Sequence, residues 1–207
     1  MKGGIWLVRH GALPPDPLRR MVGARDVPMD SKGRAQIRRL AGEFMPSVTD
    51  ALAAVICSDL RRCRETARLL LRACSAPPPL HEEPGLREIS LGDWEGRGRE
   101  EICRLWPGAY AMRGLDFASF VPPGGESFRM LQRRALHALA RWRQRYPHGD
   151  LLVVTHAGVM RALLAHWLAL PLADALRIRL GYACRCLLPE WQAPSVTNCN
   201  EEYHHEQ

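Results

Sequence analysis

Lysine is almost absent from this chain: of 29 basic residues only Lys2 and Lys32 are lysines, and the rest are arginines. Against 22 acidic residues the formal net charge is +7. That balance permits nucleic-acid binding, but there is no basic stripe interleaved with aromatics and no recognised nucleic-acid motif. A positive field that draws in phosphorylated small molecules accounts for the same charge. An uninterrupted apolar run of membrane-spanning length is also missing. Residues 151–172 come nearest, but Thr155, His156, Arg161 and His166 break them, and a buried helix after a strand is the simpler reading. Four apolar residues, Ile5 to Val8, separate Lys2 from Arg9, too few for a signal peptide. The seven cysteines are odd in number and contain no C-x-x-C, which argues against a disulfide framework and for reduced thiols in a cytoplasm. Cys184 and Cys186, with Cys199, His204 and His205, could be taken for a metal cluster. Alternation on a strand makes the first two small core residues instead, and no metal is expected. Internal repeats are absent.

What is present is an alternation of short apolar runs with amphipathic stretches. The pattern predicts strands at about 4–9, 51–57, 150–155 and 182–188. Helices are predicted at 31–45, 59–74, about 98–106, 126–146 and 158–170. In the first helix Ile37, Leu40, Ala41, Phe44 and Met45 form one buried stripe. Pro77-Pro78-Pro79 breaks the chain, and residues 80–123 read as a small insertion lying over the carboxyl edge of the sheet. The expectation is an α/β fold: a doubly wound, mostly parallel sheet with helices on both faces. Residues 1–189 form a single domain in this reading, and 190–207 a polar tail.

Two of the strand runs end in histidine. Ile5-Trp6-Leu7-Val8 runs into Arg9-His10-Gly11, and Leu151 to Thr155 runs into His156-Ala157-Gly158. Open α/β sheets place their ligand sites at such carboxyl ends. Between them, Ser58-Asp59-Leu60-Arg61-Arg62 follows the run Val55-Ile56-Cys57, with Ser58 as the expected N-cap. Cations in a first helical turn oppose the macrodipole, so one of these arginines has a functional reason to be there. Arg62 is the candidate, while Arg61 and Arg64 read as a solvated face.

These segments carry a resemblance. Leu7-Val8-Arg9-His10-Gly11, Ser58-x-Leu60-x-Arg62-x-x-x-Thr66-Ala67, Leu86-Arg87-Glu88-Ile89-x-x-Gly92-x-Trp94-Glu95-Gly96 and Val154-Thr155-His156-Ala157-Gly158-Val159 are similar to the ordered motifs of the histidine phosphatase superfamily. The likeness spans residues 4–188. Leu86-Arg87-Glu88 before Gly92-Asp93-Trp94-Glu95, and Gly124-Gly125-Glu126-Ser127 before a long helix, resemble the alpha-ribazole phosphatase branch and its phosphoglycerate-mutase-like neighbours.

The resemblance implies a phosphohistidine intermediate, later hydrolysed. Phosphoryl transfer spreads charge over three non-bridging oxygens, so positioning and positive charge dominate. Neutral His10 attacks in line if its other ring nitrogen is held, for example by a backbone carbonyl. Arg9 and Arg62 bind the oxygens through planar forks. His156, if protonated beside the dianion, adds a donor, and the amide of Ala157 at a helix N-terminus suits an anion. Four such groups require no metal or other cofactor. Glu88 falls in the acid/base motif of the family, and a nearby dianion raises its pKa. By itself Glu88 would read as a surface residue paired with Arg87. Glu82, Glu83 and Glu95 are lesser, solvated candidates, and Gly23 is structural.

The sequence departs from the family pattern after His10-Gly11. A Glu and then Thr or Ser are usual there, but this chain has Ala12 and Leu13, and Asp16 stands where an Asn often contacts phosphate. A carboxylate there repels the substrate unless the loop shifts or Arg19 or Arg20 offsets it. The leading expectation is a cytoplasmic, metal-independent phosphomonoesterase acting on a small phosphate ester, alpha-ribazole 5'-phosphate first. It has neither a nucleic-acid nor a membrane partner, and a homodimer is left open. The alternatives are a cofactor-dependent phosphoglycerate mutase and a non-catalytic phosphate-binding protein.

Overall fold

The computed structural model describes residues 2–188. Its elements follow one another as β1 (Lys2–Arg9), α1 (Ser31–Val48), β2 (Leu52–Cys57), α2 (Arg61–Leu71), β3 (Leu80–Glu82), α3 (Arg99–Leu105), α4 (Ala109–Leu115), α5 (Phe128–Arg145), β4 (Gly149–Thr155), α6 (Ala157–Trp167) and β5 (Arg185–Leu188). The sheet order is β3-β2-β4-β1-β5. Every neighbouring pair is parallel except β1 with β5, which is antiparallel. The architecture is therefore α/β, with a mostly parallel sheet.

Strands covered on both faces read as continuous apolar runs, and alternation sorts their side chains between two layers. Ile5, Leu7, Ala54, Ile56, Leu151 and Val153 pack with α5 and α6 residues such as Leu131, Leu139, Met160 and Leu163. Val8, Val55, Leu152 and Val154 point the other way, onto Ile37, Phe44, Met45 and Leu70 of α1 and α2. A third, smaller core forms from Leu91, Trp94 and Ile102, with Met21, Trp106, Tyr110 and Phe120 against it. Trp94 is fully buried there. Indole burial on this scale stabilises by a few kcal/mol, roughly 3, and anchors the segment between β3 and α5 near the carboxyl end of the sheet.

Several boundaries differ from the sequence reading. Helix α1 continues through Pro46 to Val48. The ring deletes one amide donor, but the carbonyl it would have served belongs to exposed Gly42, where water can replace it. Helix α2 is capped by Leu60 without a side-chain hydrogen bond, so Ser58 is not its N-cap. Helix α4 lies in the 80–123 insertion, beyond the helix expected at about 98–106. None of its residues is buried, so the sequence carries no apolar stripe to reveal it. The last strand begins at Arg185 rather than near 182, because Ala183 takes a left-handed conformation with φ 55 that breaks the extended run. Cys184 and Cys186 are buried in the core as expected. Cys199, His204, His205 and the stretch 190–207 lie outside the described residues.

The loop after β1 is fixed by a close backbone approach. A Cβ on Gly33 would stand 2.2 Å from the Ala12 carbonyl oxygen, and one on Gly11 would stand 2.3 Å from that of Gly33. Asp30 caps α1 by accepting from Gly33 N–H at 2.6 Å, which brings the start of the helix onto the His10 loop. Gly42 lies on the same helix with nothing within 4 Å of its Cβ position. Gly33→Ala should therefore destabilise the fold by about 1–3 kcal/mol through overpacking, whereas Gly42→Ala should stabilise it by up to about 1 kcal/mol. Urea unfolding of both variants checks the pair; a Gly33→Ala midpoint equal to the parent's would refute the close approach.

Candidate active site

Strands β1 and β4 are parallel neighbours with Arg9 opposite Thr155, so the residues that follow them emerge side by side. His10 N–H donates to the Thr155 carbonyl at 3.1 Å, and the His10 and His156 rings meet edge to face with centroids 5.2 Å apart. Both rings are buried. His10 Nδ1–H donates to the Gly11 carbonyl at 2.8 Å, which leaves Nε2 as the ring nitrogen carrying the lone pair. Burial, then the Arg62 charge, hold the His10 pKa well below the usual imidazole value, so the ring is neutral.

Arg62 is 1 % exposed and supplies the buried positive charge of the site. Its Nη1 donates to the Arg25 carbonyl at 2.6 Å, Nη2 to the Gly23 carbonyl at 3.0 Å, and Nε to His156 Nδ1 at 3.1 Å. These bonds use three of the five guanidinium donors and leave two for a phosphate. Arg61 on the same helix is exposed and Arg64 is half-buried, so the three arginines of this first turn are separated by direction. Gly23 adopts φ +53, and its carbonyl gives it a part in holding Arg62 as well as in shaping the loop.

Arg9 is aimed by backbone and ring together. Its Nη1 donates to the Leu180 carbonyl at 2.7 Å, and its guanidinium lies over the Tyr182 ring, 3.9 Å from the centroid. Tyr182 also tilts against His10 at 5.7 Å. The sequence reading missed Tyr182, because the turn before β5 that presents it was read as strand.

His156 is neutral beside Arg62. Burial, Arg62 and His10 all push its pKa well below the usual value. Because Nδ1 accepts from Arg62, the proton sits on Nε2, which faces Ser58 Oγ at 3.0 Å and Cys63 Sγ at 3.4 Å. Protonation of Nδ1 requires Arg62 to let go, as it can when a dianion arrives. Ser58, expected as a helix cap, is instead a partner of His156. Burial raises the Cys63 thiol well above its ordinary pKa, so it stays protonated beside the histidine. Ala157 opens α6 directly after His156, which places its amide in the first turn at the end of β4.

Glu88 reaches this cluster from the segment after β3. Its Oε2 accepts from Gly158 N–H at 3.1 Å and its Oε1 from Ile89 N–H at 2.9 Å. Any Cβ at position 158 would stand 2.2 Å from Oε1, so glycine there is a condition for Glu88 to dock. Arg87 pairs with Asp59, at 2.5 Å, and not with Glu88. Thr155 Oγ1 donates to the Leu86 carbonyl at 2.8 Å, tying the segment to β4. Arg134, unmarked in the sequence, completes the attachment. It donates to the carbonyls of Gly85 at 2.8 Å and Glu88 at 3.0 Å, and forms a two-pronged pair with Glu126 at 2.6 and 3.0 Å. No local spacing rule links Glu126 to Arg134, since Glu126 precedes the helix that carries its partner.

The remaining acidic candidates have other work. Glu83 is buried, not solvated, and accepts from Arg141 and Trp142, each at 2.8 Å. Glu95 is likewise not simply solvated: its Oε1 accepts from Ala24 N–H at 2.7 Å and Leu91 N–H at 3.0 Å, clasping the loop that carries Gly23. Glu82 is exposed, 3.9 Å from Arg64. Asp16 pairs with Arg20 at 3.4 Å and caps its own turn through Leu18 N–H at 3.0 Å, so Arg20 rather than Arg19 offsets its charge.

Two buried neutral histidines give stability a pH sign. In the unfolded chain both imidazoles take up protons near pH 6.5, while the folded rings resist. Stability is thus complete above that pH and is lost below it, by about 1.4 kcal/mol per pH unit for each ring until its lowered folded pKa is reached. Urea midpoints should fall between roughly pH 6.5 and 5, and less steeply in His156→Gln; equal slopes in the two proteins would show that His156 is not buried neutral.

The chain matches the family model described as histidine phosphatase superfamily (branch 1) over residues 5–195. It is 32% identical over 180 residues to the adenosylcobalamin/alpha-ribazole phosphatase of Salmonella typhimurium, covering 87% of either chain. It is 32% identical over 164 residues to a metal-independent phosphoserine phosphatase of Arabidopsis thaliana, covering 77% of this chain and 66% of that one. Among solved structures, the alpha-ribazole phosphatase from Shigella flexneri superposes with a TM-score of 0.76 at 25% identity, over 94% of this chain and 100% of that one. With His10 and His156 at the ends of adjacent strands and the match spanning nearly all its length, the chain belongs to the histidine phosphatase superfamily, branch 1, among its phosphatases.

Proposed function

We propose that this protein is a metal-independent phosphomonoesterase that works through a phosphohistidine on His10, with alpha-ribazole 5'-phosphate as its first substrate. The observation that carries the reading is the His10 Nδ1–H bond to the Gly11 carbonyl at 2.8 Å, which directs the Nε2 lone pair to the reacting phosphorus. In the first step Nε2 bonds to phosphorus and the ester P–O bond breaks. Glu88, carrying the proton, gives it to the leaving alkoxide. In the second step water attacks phosphorus, Glu88 takes the proton, and the P–N bond breaks to return neutral His10. Arg9 and Arg62 bind the non-bridging oxygens, His156 and the Ala157 amide support them, and Arg134 with Glu126 positions Glu88. Preorganised cations at the developing charge do the work a metal would otherwise do.

The substrate assignment is supported by the named activity of the Salmonella relative, and metal independence by that of the Arabidopsis relative. Cys57, Cys63, Cys74 and Cys103 carry free thiols, which fits a cytoplasmic site of action. Among the described residues no helix is long and apolar enough to cross a membrane.

Incubation with labelled alpha-ribazole 5'-phosphate should trap an acid-labile phosphoenzyme in the parent and none in His10→Ala, and turnover should survive dialysis against EDTA. A label that persists in His10→Ala, or activity restored only by a divalent metal, would overturn the assignment.

Glu88→Gln keeps the hydrogen-bonding shape but has no proton for a basic alkoxide. Single-turnover transfer from an alkyl phosphate should fall by about 10²–10⁴, while an activated aryl phosphate should lose less than about tenfold. Arg62→Ala should slow both esters by similar factors. Equal losses for the two esters in Glu88→Gln would remove Glu88 from the acid role.

A further inference from the structure

We propose that the groove between α1 and α2 binds a linear polyanion without bases, of the inorganic polyphosphate class, at a site separate from the catalytic pocket. Arg61, Arg64 and Arg68 on α2, with Arg72 at its cap, follow one another by three, four and four residues, which sets them on one helix face. Arg34 and Arg38 of α1 line the opposite wall of the same groove, which encloses about 710 Å³. Only two acids, Asp26 and Glu65, line it with them, and both are committed. Asp26 accepts from the Arg61 backbone N–H at 2.6 Å, and Glu65 pairs with Arg34 at 2.5 Å. Arg64 has Glu82 at 3.9 Å, whereas Arg38, Arg61, Arg68 and Arg72 form no ion pair with any of the described residues.

Arginine is common throughout the chain, so abundance alone decides nothing. Helix α5 supplies the comparison. There Arg134 and Arg141 pair with Glu126 and Glu83, and Arg143 donates to the carbonyls of Gly149 and Gly4. On α2 like charges at neighbouring helical spacings repel, and Arg61 stands against the helix dipole. An anion laid along the groove relieves both.

The lining also selects the kind of anion. From Arg61 to Arg72 the stripe runs roughly 16 Å at the α-helical rise, the reach of several linked phosphates. No aromatic side chain lines the groove, so there is no platform on which nucleic-acid bases would stack. Leu69 is the one apolar lining residue, too little to seat in a lipid surface. Arg62, on the same turn as Arg61, points the opposite way into the catalytic pocket and belongs to that site.

The test titrates inorganic polyphosphate into His10→Ala protein, which on the proposed mechanism cannot turn it over. Binding should weaken with salt, with a log–log slope near −3 for about four neutralised phosphates. Adding Arg68→Glu and Arg72→Glu, both exposed and outside the catalytic machinery, should lower affinity at least about tenfold. The same pair of changes in otherwise unaltered protein should leave aryl phosphate turnover and the melting temperature unchanged. Arg62→Ala in the His10→Ala background should change polyphosphate affinity by less than about twofold. The reverse pattern, with loss in Arg62→Ala and none in the groove variant, would assign the polyanion to the catalytic pocket and overturn the proposal. Equal or tighter binding of single-stranded DNA of the same charge, or of phosphatidylserine-containing vesicles, would overturn it too.

Discussion

The parallel pairing of β1 with β4 is the constraint on which the site depends. With Arg9 opposite Thr155, the two chains leave the sheet at the same height and His10 and His156 emerge in contact. A slip of one residue would turn every side chain of β1 over and exchange its two apolar faces. Ile5 and Leu7 would then face the α1–α2 layer, while Trp6 and Val8 would face α5 and α6. The hydrophobic cores on both sides of the sheet therefore defend the register that brings the histidines together. Strand β2 extends the row, since Ser58 N–H donates to the Val154 carbonyl at 2.9 Å and leaves Ser58 Oγ beside His156.

Concentrating positive charge at this row is costly unless it is solvated by the protein. Arg62 has almost no contact with water, and the groups that bond it are two backbone carbonyls and a neutral imidazole, with no carboxylate among them. A carboxylate directly on Arg62 would cancel the field that a phosphate is to feel. Carbonyls solvate the cation without neutralising it. Burial first, and then this charge, keep both histidines neutral, as the attack proposed for His10 requires, and His156 Nδ1 accepts from Arg62. One buried arginine thus reinforces what burial already imposes on the two rings beside it.

The strand-end residues were legible because they sit where short apolar runs stop, and the buried strands, α1, α2, α5 and α6 follow from the same runs. Arg62 could be singled out from Arg61 and Arg64 on dipole grounds and motif position, though its bonds to Gly23 and Arg25 could not be foreseen. Those carbonyls belong to an irregular loop whose path depends on the left-handed backbone at Gly23 and on the clasp by Glu95, and neither has a period. Tyr182 and Ser58 were hidden by errors of two or three residues at element ends, where turn geometry outweighs propensity. Glu83 and Glu95 were read as solvated because composition cannot say which carboxylates meet a donor from a distant helix. Helix α4 buries nothing fully and so left no signal.

Glu88 stands apart from the other reacting groups in how it is held. His10, Arg9 and His156 stem from the central sheet, whereas Glu88 rides on the segment between β3 and α5, much of which rests on its own small core around Trp94. Three attachments join the two parts near Glu88: the Gly158 amide to its carboxylate, the Thr155 hydroxyl to the Leu86 carbonyl, and Arg134 to the carbonyls on either side. The first holds the charge, while the other two hold the backbone that carries it. Glu88 keeps its position in this way without a cation of its own pressed against the carboxyl, because Arg134 spends its ion pair on Glu126 and reaches Glu88 only through its carbonyl. On the role proposed for Glu88 that division matters, because Arg134 fixes where the carboxyl stands through main-chain carbonyls and adds no direct ion pair to it.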